Sequence, residues 1–101
     1  MIRTWKDELF NRIKDSIGFY VSGDHCKWLR ETFPGREHHH LFGSYTGLKT
    51  SDYGRLPVTR EQHINAEKDK SGFAIDNLHN LISILIKRIR FLEQKLKEKK
   101  Q

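Results

Sequence analysis

The sequence has a single cysteine, Cys26, in 101 residues, so neither an intramolecular disulfide nor a cysteine-rich zinc knuckle can hold the chain together. It is also poor in apolar residues. Hydrophobic side chains make up 36 % of it and charged ones 32 %, where about 25 % charged is ordinary for a globular domain. A modest core is therefore expected. No stretch approaches the ~20 consecutive apolar residues of a membrane span. The opening MIRTWKDELF carries charges at Arg3, Lys6, Asp7 and Glu8, where a secretory signal needs an unbroken apolar segment. A soluble, cytoplasmic protein without a membrane partner is the expectation.

What the chain does have is aromatic weight and positive charge. Two Trp and six Phe supply bulky groups that a disordered chain lacks. Nineteen Lys and Arg against thirteen Asp and Glu leave a formal charge of +6, which favours a polyanionic partner, nucleic acid first. The length suits one domain, 1–101, because independent domains need roughly 50 to 200 residues each.

The pattern along the chain divides that domain into parts. Trp5, Leu9, Ile13 and Ile17 recur every four residues behind Thr4 and Asp7, which resemble a capping box, so a first helix is expected from Thr4 to Ile17. Gly18 ends it, Phe19-Tyr20-Val21 forms a link, and Cys26, Leu29 and Phe33 mark a shorter second helix stopped by Pro34-Gly35. Residues 1–35 thus read as a helical scaffold. From Glu37 to Val58, Gly43, Gly47 and Gly54 punctuate short apolar runs, which predicts a β-hairpin with a long connection. Thr59 stands three residues before Gln62 in a second capping box. A helix should begin at Arg60, place His63 and Glu67 on one face, and end at Ser71-Gly72.

A last helix is expected from about Phe73 to the end. Leu78, Ile82, Leu85, Ile89, Leu92 and Leu96 alternate spacings of four and three. With Ile82, Ile89 and Leu96 at a and the three leucines at d, they form a heptad seam in which Arg88 meets Glu93 of a second chain. Leu81 and Ile86 widen the stripe, as in a helix packed on its own domain, so homodimerisation and internal packing both stand. The same segment holds seven cations between Lys87 and Lys100 and two glutamates, Glu93 and Glu98. Such a tail is either a solvated helix end or a non-specific DNA grip through Lys87, Arg88 and Arg90.

Four of the six histidines fall between Glu37 and His63. Imidazole is the commonest metal ligand and titrates near neutrality, so a histidine pair can hold a divalent ion and supply a general base. In a strand His39 and His40 point to opposite faces, which divides their labour. His38 is expected to be exposed, His25 beside Cys26 to be an ordinary core or surface residue, and His79 to lie on a helix surface.

The order His39-His40-Leu41-Phe42-Gly43, then Gly47-Leu48-Lys49 with Asp52-Tyr53, then Leu56-Pro57 with His63, resembles the HNH, or His-Me finger, nucleases, especially the small prophage-encoded type. The resemblance covers residues 36–69. It implies an α+β fold in which a ββα-metal finger, 36–70, packs with the N-terminal helices and a long, basic C-terminal helix, 73–101. It also implies endonucleolytic hydrolysis of DNA with one divalent ion. By position, His39 and His63 resemble the metal ligands and His40 the base that activates water. Glu67 stands where many members place another His, and an oxygen ligand there favours Mg²⁺ or Mn²⁺ while leaving Zn²⁺ and Ni²⁺ possible. Asp52 falls near the family's central Asn and is expected to orient the base. Lys49, Arg55 and Arg60 are expected to clamp phosphate. Thr59 and Gln62 stand where some relatives place thiols, so the flanking helices must brace a zinc-free finger. The competing expectation is a non-catalytic DNA- or protein-binding module that dimerises through its last helix.

Overall fold

Thr4 and Asp7 close a reciprocal box at the start of α1 (Trp5–Ile17): Asp7 N–H donates to Thr4 Oγ1 at 3.2 Å and Thr4 N–H to Asp7 Oδ2 at 3.1 Å. The computed structural model describes residues 4–99, so Lys100 of the basic tail lies outside the described residues. The apolar stripe expected on α1 is only partly used. Residues four apart advance about 40° beyond a full turn at each step, so Trp5 and Ile17 end on the flanks and stay exposed. Phe10 and Ile13 make the contact with the core instead, and the Phe10 ring lies 5.5 Å from that of Phe42.

Ser22 caps α2 (Gly23–Thr32), which buries His25, Cys26, Trp28 and Leu29 on one face. Gly35 then turns the chain with φ +75° into β1 (Glu37–His40). β1 pairs antiparallel with β4 (Arg55–Val58), with Glu37 opposite Val58 and His39 opposite Leu56. The connection between them is fastened at several points. Leu41 and Phe42 enter the core. A small hairpin, β2 (Ser44–Tyr45) and β3 (Leu48–Lys49), turns through Thr46 and Gly47. Both have positive φ, +46° and +82°, as tight turns matched to strand twist require. A 3-10 turn, Asp52–Gly54, leads into β4. Ser51 N–H donates to Gly18 O and Asp52 N–H to Tyr20 O, so the link between α1 and α2 grips this turn.

Thr59 and Gln62 cap α3 (Arg60–Lys68) reciprocally. The stop expected at Ser71-Gly72 is displaced. Asp69 ends α3 and caps a new helix, α4 (Lys70–Asp76), by accepting from Gly72 N–H at 3.2 Å. Ser71 and Gly72 lie in the first turn of α4, and a Cβ at Gly72 would strike the Asp69 carboxylate. The last helix likewise starts later than Phe73: Asn77 breaks the chain before α5 (Leu78–Lys99). The architecture is α+β: among the described residues, five α-helices and two small antiparallel sheets, β1–β4 and β2–β3.

One cluster of buried residues joins the parts: Trp28 and Leu29 from α2, Leu41 and Phe42, Leu56 and Val58 from β4, Ala74 from α4, and Leu81 and Ile84 from α5. The stripe of α5 therefore splits. Leu78, Leu81, Ile84 and Leu85 pack inward, while Ile82, Ile86, Ile89, Leu92 and Leu96 remain exposed. Among the described residues no helix is long and apolar enough to cross a membrane.

His25 is fully buried between the rings of Tyr53, 4.6 Å away, and Trp28, 5.8 Å away, with neither ring nitrogen hydrogen-bonded. Burial, and after it the Arg88 charge, pushes its pKa down to about 4. The folded state therefore keeps His25 neutral while the unfolded chain takes up a proton near pH 6.5, so stability falls as pH drops from about 6.5 through about 4. Between pH 7 and pH 4.5 this one group should cost on the order of 2–3 kcal/mol. Urea denaturation of the parent and of His25→Phe should show a pH dependence weaker by that amount in the variant. Equal pH dependence in both would contradict the account.

Candidate metal centre

The alternation of β1 sets the site. Glu37 and His39 point toward α3 and α4: the His39 ring lies 5.0 Å from that of His63 on α3 and 5.7 Å from that of Phe73 on α4. His39, His63 and Glu67 each bring a ligand atom to within 4.8 Å of the others, two of them from one face of α3 at i, i+4. This is a donor set of two imidazoles and a carboxylate, of the kind that binds a divalent ion and leaves positions open.

The protonation states suit that use. Burial, with repulsion from His63 second, lowers the pKa of His39 and keeps it neutral, as a ligand must be. Its Nε2 is shut off from solvent with no hydrogen-bond partner, a state that costs stability unless another use offsets it. His63 Nδ1 is held at 2.8 Å by Glu37 Oε1. A carboxylate only accepts, so Nδ1 carries the proton and the lone pair falls to Nε2. A carboxylate behind the imidazole in this way fixes the tautomer and orientation of the ring. The hydrogen bond to His63, chief among several effects, lowers the pKa of Glu37 in return.

His40 turns to the other face of β1, where its Nε2 lies 3.4 Å from Asp52 Oδ1. The same carboxylate accepts from Ser22 N–H at 2.8 Å and from Arg55 Nε at 3.0 Å. These bonds hold Asp52 ionised below the ordinary carboxylate range against the opposing effect of its own burial. With Nε2–H turned to Asp52, His40 presents the lone pair of Nδ1, and burial keeps the ring neutral by lowering its pKa. A cleft of about 260 Å³ is lined by all three histidines of β1 together with His63, Glu67, Lys49 and Lys70.

The structure thus brings together His39, His63 and Glu67, and separately His40 and Asp52. It disperses the expected cations. Lys49 lines the cleft. Arg55 does not face outward as a phosphate clamp: its guanidinium is bound by Asp52 and lies 3.2 Å from His38 Nδ1. That pairing also corrects the exposure expected for His38, which is half-buried. Arg60 is exposed and bonded to Glu37 at 3.3 Å. Lys87 sits 5.6 Å over the Phe33 ring, and Arg90 is exposed.

Arg88 is corrected most sharply. Only 7 % exposed, it packs against the rings of Trp28 and Phe91, which also touch each other, so it is not presented at the surface to DNA or to a partner's Glu93. A guanidinium is planar and weakly hydrated, and buries against aromatic faces more readily than an ammonium. Glu37 and Lys70 were not anticipated. The signal for Glu37 was available, since i and i+2 share a strand face and it precedes His39 by two. Comparisons with protein-family models, curated proteins and solved structures find no match for this chain.

Titration calorimetry with Mn²⁺ separates these roles. His39→Ala and His63→Ala should abolish binding, and Glu67→Ala should weaken it. Glu37→Ala should cost about 10- to 100-fold in affinity by releasing His63. His40→Ala should bind as the parent does. Loss of binding in His40→Ala with retention in His39→Ala would shift the ligand set by one residue.

Proposed function

We propose that the chain is a divalent-metal-dependent endonuclease of the HNH type that hydrolyses DNA phosphodiester bonds. The observation that supports this most is the convergence of His39 with His63 and Glu67 next to a neutral, carboxylate-backed His40. One candidate ligand, His39, and the candidate base, His40, thereby occupy adjacent positions of β1, with the other two candidate ligands on α3. Mg²⁺ or Mn²⁺ fits a set containing an oxygen ligand. The ion, when bound, would supply Lewis acidity to a phosphate and its leaving oxygen. The chain's own residues divide the rest. His40 Nδ1 accepts a proton from the attacking water, and Asp52 stabilises the imidazolium that results. Lys49 and Lys70, on the cleft lining, attract the phosphate. The resemblance to prophage-encoded finger nucleases supports a phage or mobile-element setting.

Supercoiled plasmid incubated with the protein in Mg²⁺ or Mn²⁺ should be nicked. EDTA should stop the reaction, and His40→Ala should lower its rate by about 10² to 10⁴ while retaining the ion. DNA binding without cutting in any divalent metal would favour the non-catalytic module.

The exposed half of the α5 stripe supports one further part of the reading, a homodimer. Ile82, Ile89 and Leu96 are more than half exposed, at 53, 53 and 58 %, and repeat every seven residues with Leu92 between them. A second copy of the helix presents the same spacing and so matches it knob to hole. Because cations flank the seam, like charges oppose association. Added salt should therefore strengthen the dimer. Sedimentation should show a dimer in the parent and a monomer in Ile89→Lys, with unfolding unchanged because Ile89 is solvent-facing. A parent that stays monomeric up to 0.1 mM and 0.5 M salt would remove the dimer.

A further inference from the structure

A second cleft, distinct from the histidine cleft, is larger than it. It measures about 450 Å³, lies between β4, the start of α3 and the first half of α5, and falls in the size range of small-ligand sites. Its apolar floor is Phe33, Leu56, Pro57 and Ile84. No carboxylate lines it, whereas Arg36 and Lys87 both do. Neither cation has an ion-pair partner among the described residues. Two unpaired cations beside an apolar floor select an anionic ligand with an apolar body.

The hydrogen-bonding groups narrow the class. Gln62 Oε1 is committed to Thr59 N–H at 2.9 Å, which turns its amide so that Nε2 remains as a donor. Asn80 Nδ2 donates to Asn77 Oδ1 at 2.9 Å, and Asn77 Nδ2 donates in turn to Phe73 O at 2.9 Å. That chain fixes the Asn80 amide and leaves Oδ1 as an acceptor. Ser83, also on the lining, adds a hydroxyl that serves either way. A fixed donor and a fixed acceptor over an apolar floor fit the edge and face of a nucleobase, whose rim alternates the same two kinds of group.

We propose that this cleft is a nucleotide subsite, with the base on the apolar floor, its edge read by Gln62 and Asn80, and its phosphate met by Arg36 and Lys87. It rests on the nuclease reading in one respect, that the nucleotide belongs to a nucleic-acid strand. Gln62 and His63 are neighbours on α3, so a strand seated here is tied through that helix to the histidine cleft. The subsite then contributes grip and base preference at a nucleotide away from the cut.

Amide NMR spectra of the ¹⁵N-labelled protein in EDTA test this without any metal. Deoxyadenosine monophosphate should shift Arg36, Gln62, Asn80, Ser83 and Ile84 saturably and leave Lys49 and Glu67 in place. A hexanucleotide should bind at least tenfold more tightly at the same residues. Arg36→Ala/Lys87→Ala should weaken both at least tenfold with the melting temperature unchanged, and Asn80→Ala should reduce discrimination among the four mononucleotides. Equal shifts with inorganic phosphate, shifts confined to the histidine cleft, or unchanged binding by the double variant would each overturn the subsite. Exclusion of the hexanucleotide while the mononucleotide binds would overturn the strand as its source. Mononucleotide binding at these residues by a protein that never nicks plasmid would uphold the subsite and sink the nuclease reading, and nicking without binding here would do the reverse, so the two failures are distinguished.

Discussion

The register of β1 against β4 is the constraint on which the rest depends. With His39 opposite Leu56 and Glu37 opposite Val58, one face of the strand pair turns to α3 and the core, and the other to the 3-10 turn at Asp52. A slip of one residue would exchange those faces. His39 would leave His63 and Glu67, and Leu56 and Val58 would leave the core. Burial of those two apolar side chains, at 3 and 1 % exposure, therefore guards the chemistry. Misplacing the histidine costs the hydrophobic contribution of two core residues, roughly 1.5–3 kcal/mol each.

Around that register the helices act as braces for polar groups. Asp52 receives hydrogen bonds from Ser22 in the α1–α2 link and from Arg55 on β4, and it faces His40 on β1. One buried carboxylate thus joins three segments far apart in sequence. Such a group is costly unless every lone pair is used, and here the scaffold supplies the donors. The α1–α2 link is thereby tied to the β1–β4 pair through a side chain rather than through backbone pairing alone. Glu37 does the same on a smaller scale, holding His63 and Arg60 at the entrance to α3.

α5 has two characters along its length because the buried core ends at Arg88 while the helix runs on to Lys99. Near its start Leu81 and Ile84 complete the core, and Arg88 closes it beneath Trp28 and Phe91. Beyond Arg88 every described residue is exposed, the apolar Ile89, Leu92 and Leu96 included. An apolar stripe that outruns its own domain is unusual for a lone chain, since large exposed apolar patches on soluble proteins generally mark interfaces.

Much was legible in the sequence because it is local. Both capping boxes depend on residues three apart, the strand alternation on residues two apart, and the facing of His63 and Glu67 on residues four apart. Short-range geometry fixes each of these before any tertiary contact forms. The end of α3 was misread because Ser71-Gly72 is an ordinary helix stop in isolation, and only the Asp69 carboxylate over Gly72 N–H converts it to a start. Arg55, Arg88 and His38 were misread for a related reason. A charge or an imidazole looks solvent-facing until the fold brings Asp52, or the rings of Trp28 and Phe91, to meet it. Within α1, α2, β1 and α3 the residues alone settle which side chains share a face, since periodicity is a property of the backbone. Only the tertiary structure decided which charges are buried and paired and which half of the α5 stripe the core consumes, because those outcomes depend on distances between segments that the chain order does not contain.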